Sequence, residues 1–233
     1  MAMVLTITAP NLHLLSSLPS TLTHLYCDDN NVTSLPDLPL GLKILRCSHN
    51  NLTTLPNLPP RLKVLYCNGN NLTTLPPLPS TLEILYCDGD NLTTLPLLPS
   101  TLKVLDCDNN NLTSLPDLPI GLEILFCRDN NLTSLPPLPP TLTHLSCGNN
   151  NLRSLPLLPS TLTHLYCNNN LPDWYYNSSI EEIRRKQVIE KLLLIRKKIA
   201  SRIIQRAWTR YWYYPNSEGI SRYSSYMSRL DII

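Results

Sequence analysis

The sequence predicts a solenoid of short parallel β-strands followed by an α-helical C-terminal extension, and three observations lead to this prediction. Eight cysteines recur every twenty residues, from Cys27 to Cys167. Proline is abundant, with 22 residues, whereas there are only 6 glycines. The first 170 residues carry 7 Lys or Arg against 11 Asp or Glu, a formal charge of −4, whereas residues 171–233 carry 12 against 6, or +6. The chain therefore has two different parts, and the first is an internal repeat.

The repeat contains one short strand in every turn. Aligned on cysteine, it reads L-x-x-L-x-C-x-x-N-N-L-T-x-L-P-x-L-P-x-x. Leu65 and Cys67 alternate with Val64 and Tyr66, and this period of two is typical of a strand. Strands that recur in one direction are parallel, and eight of them at about 4.8 Å spacing give a sheet about 40 Å long. One turn cannot bury its own apolar face, so stacking of the turns supplies the core.

The second half of each turn cannot be a helix. Two prolines, such as Pro76 and Pro79, each remove a backbone donor and fix φ. We therefore expect an extended, polyproline-like return path, which also agrees with the short period of the repeat.

The segment L-x-x-L-x-C-x-x-N-x-L, for example residues 62–72, resembles the conserved segment of leucine-rich repeats. The L-P-x-L-P ending resembles the twenty-residue subclass of bacterial effector proteins, and the resemblance covers residues 1 to about 172. It implies a leucine-rich-repeat solenoid with the parallel β-sheet on the concave face and extended, polyproline-like chain on the convex side. It also implies that the ninth motif position forms a buried ladder that bonds the backbone of adjacent turns: Asn30, Asn50, Asn70, Asp90, Asn110, Asn130, Asn150 and Asn170.

An amide suits the ladder because it offers both a donor and an acceptor to buried backbone groups. Asp90 lacks the donor, so we expect local strain, a water molecule or a compensating contact in the fourth repeat.

The predicted domains follow from where the motif begins and ends. Residues 1–20 form a degenerate N-terminal capping repeat, in which Pro10 replaces the ladder asparagine although four apolar residues keep the register: Leu5, Ile7, Leu12 and Leu15. Residues 21–172 hold the twenty-residue repeats, residues 173–215 an amphipathic basic helix, and residues 216–233 a polar C-terminal segment.

The cysteines are predicted to be core residues. Neighbouring cysteines on parallel strands lie near the sheet spacing of about 4.8 Å, whereas a disulfide needs Cβ atoms about 3.8 Å apart. There is no C-x-x-C pair, and His144 and His164, which should stack on adjacent strands, have no third or fourth ligand evident. We therefore expect no metal and no cofactor.

Two columns of strand residues are the predicted partner-binding surface. Aliphatic and aromatic side chains there should form an exposed stripe of the kind that marks protein-binding surfaces, although such residues also simply favour strands. The predicted contact residues on this concave face are Ile44, Arg46, Val64, Tyr66, Ile84, Tyr86, Val104, Asp106, Ile124, Phe126, His144, His164 and Tyr166.

The tail is predicted to be a basic amphipathic helix. Ser178 and Ser179 each precede a glutamate by three residues, as in a capping box, and Pro215 ends the helix. Its apolar arc consists of Val188, Ile189, Leu192, Leu193, Ile195, Ile199, Ala200 and Ile203. One interpretation is a C-terminal cap, in which Trp174 and the helix cover the last turn.

Other interpretations of the tail remain open. It could be a calmodulin-target-like helix, since residues 204–210 partly resemble an IQ motif, in which Thr209 and Arg210 depart from the pattern. Membrane-surface association through the basic face is less favoured, and the Arg and Tyr residues at 206–214 are the weakest argument, for nucleic acid. Residues 206–219 also resemble tails of leucine-rich-repeat proteins from large amoeba-infecting DNA viruses.

We expect a non-catalytic protein-interaction module that binds an unidentified protein partner and no nucleic acid. Bacterial effector ubiquitin ligases join similar repeats to a catalytic cysteine domain, but the 63-residue tail contains no cysteine to act as the nucleophile. A substrate-recognition adaptor for ubiquitin-ligase-type machinery is the alternative. Eight unpaired thiols and an N-terminus without a basic, apolar signal predict an intracellular, cytoplasmic protein, in the host cytoplasm if it is viral.

Overall fold

The structure, a computed structural model, describes residues 3–171 and 178–213. The chain divides into two compact units, Met1–Ile180 and Glu181–Ile233. Nine parallel strands, in sequence order, form one sheet in the first unit. They are β1 (Met3–Thr6), β2 (Leu22–Tyr26), β3 (Ile44–Arg46), β4 (Val64–Tyr66), β5 (Ile84–Tyr86), β6 (Val104–Asp106), β7 (Ile124–Phe126), β8 (His144–Ser146) and β9 (His164–Tyr166). The predicted solenoid of parallel strands is therefore confirmed.

Strand β1 belongs to the N-terminal turn that lacks the consensus. It pairs in parallel with β2, with a shift of register between Met3 and Val4. A 3-10 helix, Ala9–Ser17, follows it where the other turns have extended chain. Ile7 is buried, and the Asn30 side chain donates to its carbonyl, so the N-terminal turn receives the same kind of bond that joins the consensus turns.

The core is a set of columns that run through the stack. Four positions of each turn are almost all fully buried: the leucine two residues before the strand, the leucine at the centre of the strand, the cysteine that follows the strand, and the leucine two residues after the ladder residue. The turn from Leu102 to Leu112 is typical. No helix occurs in the described chain between residues 18 and 163, which agrees with the prediction of extended return paths. Each return path ends in a tight turn, such as that closed by the bond from the Leu102 amide to the Pro99 carbonyl.

The second residue after each cysteine adopts a left-handed conformation. Its φ is 66° at Gly69 and Gly89, 53° at Asn109 and 52° at His49. Glycine, Asn and Asp tolerate this region best, so the position uses these residues in every turn but that of His49. The amide of this residue then donates to the next turn, as Gly69 does to the Asp88 carbonyl at 2.8 Å.

Among the described residues that follow the repeats, one long helix occurs, α1 (Ile180–Tyr213). Glu181 and Glu182 lie in its first turn, where their negative charges interact favourably with the positive end of the helix dipole. Its 34 residues correspond to about 50 Å of helix. The predicted helical extension is confirmed, whereas Trp174, Pro215 and residues 216–233 lie outside the described residues.

Candidate functional site

The register of the sheet aligns the predicted contact residues into two columns. The first, column one, begins at His24 and runs through Ile44, Val64, Ile84, Val104, Ile124, His144 and His164. The second, column two, begins at Tyr26 and runs through Arg46, Tyr66, Tyr86, Asp106, Phe126, Ser146 and Tyr166. Together they are called the concave face below. The structure thus brings all thirteen predicted contact residues onto one side of one sheet.

The aliphatic members of column one are only partly exposed. Ile44, Val64, Ile84, Val104 and Ile124 are half-buried, so they are less accessible than the exposed stripe that the sequence predicts. Stacking at the sheet spacing explains this, because each branched side chain covers part of its neighbours.

The histidine end of column one is more open. The imidazoles of His144 and His164 stack with ring centroids 4.2 Å apart and planes 5° apart, as the spacing predicts. Each ring lies beside the hydroxyl of the preceding threonine, Thr143 or Thr163, at 2.9 Å. Within residues 3–171 and 178–213, no group of three His, Cys, Asp or Glu side chains is arranged to hold a metal ion.

Column two contains both aromatic rings and charged side chains. Tyr66 and Tyr86 stack with centroids 4.8 Å apart and planes 10° apart. The Arg46 guanidinium lies 5.3 Å from the Tyr66 ring centroid and 5.8 Å from that of Tyr26, and it also pairs with Asp28 at 3.0 Å. The N-terminal half of the column therefore presents a cation that lies between two phenol rings. Both distances fall within the range at which cation–π attraction is significant.

The middle of the concave face is acidic. Burial, followed by the nearby charges of Asp108 and Asp88, raises the pKa of Asp106 to about 7. Burial, with Asp88 and Asp129 adding repulsion, raises the pKa of Asp108 to about 6 despite the bond from the Arg128 amide. These carboxyls titrate near neutral pH, so a cationic group of a partner would favour their ionised form.

A cavity of about 420 Å³ lies at the C-terminal end of column two. The rings of Phe126 and Tyr166 line it, together with Ser146 between them. The cavity's polar lining comes from the turns that follow the strands and includes Asp108 and Arg128. An aromatic wall with a few polar groups is typical of a binding pocket.

The ladder side chains, all buried except that of Asn170, which is half-buried, lie below the concave face and hold neighbouring turns together. Asn50 is typical: its Nδ2 donates to the carbonyls of Cys27, Cys47 and Ser48 at 2.9–3.1 Å, and its Oδ1 accepts from the amides of Asn30 and Val32. A single side chain thus satisfies five buried backbone groups. Nδ2 bonds of the same kind occur at Asn30, Asn70, Asn110, Asn130, Asn150 and Asn170.

Asp90 completes only half of a ladder rung. Its Oδ1 accepts from the amides of Asn70 and Leu72 at 3.1 and 3.0 Å. Its Oδ2 takes the place of the donating Nδ2, and among the described residues no donor reaches this buried oxygen. Burial, with the Asp88 charge adding repulsion, raises the pKa of Asp90 to about 7.

The eight cysteines form a further buried column with free thiols. The Sγ of Cys87 donates to the Asp106 carbonyl at 3.3 Å, and four other cysteines make the same contact with the next turn. Burial raises the pKa of Cys87 well above its usual value, so the thiol stays protonated and is a poor nucleophile.

Comparisons with known proteins agree with this architecture. A family profile described as Leucine Rich repeats (2 copies) matches residues 40–80, and one described as Leucine Rich Repeat matches residues 101–122. The structure of a Shigella effector LRR domain is 31% identical, with a TM-score of 0.55, and the match covers 64% of this chain and 70% of that one. The chain belongs to the leucine-rich-repeat family.

Two longer effector structures resemble the leucine-rich-repeat solenoid as well. YopM from Yersinia enterocolitica is 39% identical over 66% of this chain, with a TM-score of 0.66. The leucine-rich effector YopM from Yersinia pestis is 40% identical over 67%, with a TM-score of 0.65. This chain spans only 35% and 47% of their respective lengths. No curated protein matches the sequence.

Sequence reasoning missed a set of exposed apolar side chains on the proline-rich side of the leucine-rich-repeat solenoid. Leu97 is 85% exposed, and three more are at least half exposed: Leu40, Ile120 and Leu157. They occupy the motif positions marked x around the second proline, which the consensus treats as neutral. Their apolar character could have been found by aligning those positions separately.

The helix that follows the repeats leaves most of its apolar arc exposed. Ile183 is 1% exposed and Gln187 is also buried, whereas every residue from 188 to 209 is exposed. The predicted amphipathic pattern therefore lies on an accessible surface over about six turns. Among the described residues, no helical segment combines the length and the hydropathy that a membrane span needs.

Proposed function

We propose that this protein is a non-catalytic interaction module that binds a protein partner on the concave face of the solenoid. The observation that carries the proposal is the contrast between positions within one strand. The buried positions repeat almost without change, whereas column two changes from Tyr to Arg, Asp, Phe and Ser across eight strands. When exposed side chains vary while the buried positions stay the same, the surface can become specific for one partner without loss of stability of the fold.

The chemistry of the concave face suits a protein partner. Tyrosine and arginine, enriched at the energetic centres of interfaces, meet in the Tyr66, Tyr86 and Arg46 cluster. The acidic centre around Asp106 and Asp108 favours a partner with a basic segment, which would steer the two proteins together. The raised pKa of the buried thiols, for example Cys107, further supports a module without a cysteine nucleophile.

Paired variants of the full-length chain test this proposal. Tyr66→Ala and Tyr86→Ala remove the stacked rings, and we expect each to weaken capture of the partner by about 10-fold or more, as hot-spot truncations do. Leu97→Ala and Ile120→Ala are matched controls, since they remove exposed apolar groups from the proline-rich side. The proposal fails if the Leu97 and Ile120 variants lose the partner while the tyrosine variants keep it.

We further propose that α1 is a second binding surface, because its apolar arc is exposed and its other face is basic. Lys191, Lys197, Lys198 and Arg202 lie opposite much of that arc, a pattern shared by calmodulin targets and membrane-surface helices. Calcium-dependent binding of the full-length chain to calmodulin tests the first case. The control variant Leu192→Glu with Leu193→Glu should abolish that binding, and absence of any calcium-dependent binding would remove the calmodulin case.

A further inference from the structure

The cavity at the end of column two contains a gap in a series of rings. Phe126, Ser146 and Tyr166 lie directly opposite one another on β7, β8 and β9. Ser146 is among the residues that line the cavity and is 6% exposed, whereas Tyr166 is 58% exposed. Two rings thus flank a strand whose own side chain is too small to fill the space between them.

The same sheet shows what a ring in such a position does. Tyr66 and Tyr86, on neighbouring strands of the same column, stack 4.8 Å apart. His144 and His164, on β8 and β9 themselves, stack 4.2 Å apart. A ring placed over Ser146 would therefore lie about 4.8 Å from each flanking ring, a separation suited to offset stacking on both sides.

We propose that this gap receives an aromatic side chain of the partner, tryptophan or tyrosine, between Phe126 and Tyr166. This inference rests on the proposed function, which assigns the partner to the concave face. The Asp108 carboxylate at the edge of the cavity offers an acceptor for an indole N–H or a phenol O–H. An aliphatic side chain would gain neither the double stacking nor that bond.

The negative charge of the solenoid favours an aromatic side chain of a protein over a nucleobase as the occupant of the gap. The first 170 residues carry a formal charge of −4, and among the described residues near the cavity the carboxylates of Asp108 and Asp129 outnumber the one guanidinium, that of Arg128, which pairs with Asp129 at 3.4 Å. A nucleic acid would bring its phosphates to this acidic surface, where they are repelled. An aromatic side chain on a neutral or basic protein segment has no such penalty.

Amide chemical shifts of the ¹⁵N-labelled full-length chain test the proposal, with N-acetyl-tryptophanamide as the probe. We expect saturable shifts at Ser146, Gly148 and Asn149, and shifts at least 5-fold smaller with N-acetyl-leucinamide. Ser146→Phe fills the gap with the chain's own ring and should weaken probe binding by at least 10-fold. Leu97→Phe adds the same ring on the proline-rich side, at a side chain that is 85% exposed, and it should leave probe binding unchanged.

A second variant keeps the test decisive if Ser146→Phe disturbs the fold. Tyr166 is exposed, so Tyr166→Ala removes one stacking partner without emptying the core. It should weaken the probe by about 2- to 10-fold, the range expected for the loss of one aromatic pair.

Several results would overturn the assignment: equal shifts with the leucine probe, no loss in either variant, or tighter binding of adenosine monophosphate than of the tryptophan probe. If the gap fails in this way while Tyr66→Ala still releases the partner, the proposed function stands without it.

Discussion

The ladder and column two run through the same turns, a few residues apart, and they differ in what they tolerate. Seven of the eight ladder positions are asparagine, because each side chain must both donate to and accept from buried backbone. Column two holds five residue types in eight strands, since its side chains end at the surface. The backbone frame therefore requires a side chain that both donates and accepts at each ladder position, whereas at column two it fixes only where the side chain lies.

The largest effect is expected when a complete ladder rung is removed. Asn110→Ala deletes the donor to the carbonyls of Cys87, Cys107 and Asp108 and the acceptor for the Leu92 amide. Because these groups stay buried, we expect a loss of about 3–5 kcal/mol in the free energy of unfolding. Urea denaturation measures it. Asn111→Ala, at the exposed neighbouring position, should change stability by less than about 0.5 kcal/mol. Equal losses in both variants would contradict the special role of the ladder.

A smaller, pH-dependent effect is expected at the incomplete rung. The folded pKa of Asp90, about 7, lies above its usual value of 3.8, so the stability contributed by its protonated form is lost as the pH rises from about 4 to about 7. Asp90→Asn restores the donor and has no such titration. The stability advantage of this variant over the parent should therefore grow by about 2–3 kcal/mol between pH 5 and pH 8.

Among the described residues, the titratable groups that interact with Asp90 are Asp88 in its own turn and the buried, protonated thiols of Cys47, Cys67 and Cys87, all of which are unchanged in the variant. Denaturation curves at several pH values give the difference. Asn110→Asp provides the matched control, because it creates a second incomplete rung and should become less stable relative to the parent as the pH rises. A constant difference between Asp90→Asn and the parent at all pH values would show that Asp90 is already ionised without penalty.

The smallest effect on stability is expected in column two. Tyr86→Ala removes one ring from a partly exposed stack, so we expect a loss of about 1 kcal/mol in stability. The same variant should lose most of its affinity for the partner. Thermal unfolding alongside partner capture separates the two quantities. A stability loss as large as that of Asn110→Ala would place Tyr86 with the frame and remove the distinction drawn above.

Much of the fold could be predicted from sequence because the same pattern of residues recurs in eight successive turns. The strand, the proline-rich return path and the buried cysteine column all follow from periodicity and residue type. The partial burial of Ile84 and Val104 could not be predicted, since it depends on how much of each side chain its neighbours cover. The exposed apolar side chains of Leu97 and Ile120 could not be predicted from the consensus, because it carries no information at positions that vary.

The sequence predicted which residues of the candidate site form columns on the sheet, but it did not predict the gap between the rings of Phe126 and Tyr166. Register alone aligns Phe126 with Ser146 and Tyr166, yet the gap becomes visible only when the ring spacing of Tyr66 and Tyr86 is known. The ladder exception at Asp90 was visible in the sequence, whereas its half-satisfied state needed the positions of both carboxylate oxygens.

Site-resolved photo-crosslinking tests most directly the central claim that the concave face holds the partner. A photoreactive phenylalanine analogue would replace Tyr66, Tyr86 or Tyr166 on that face, and Leu40, Leu97 or Ile120 on the proline-rich side, in the full-length chain. We predict that the three concave positions crosslink one common partner and the three opposite positions do not. Crosslinks to that partner from Leu40, Leu97 or Ile120, and none from the tyrosine positions, would contradict the claim.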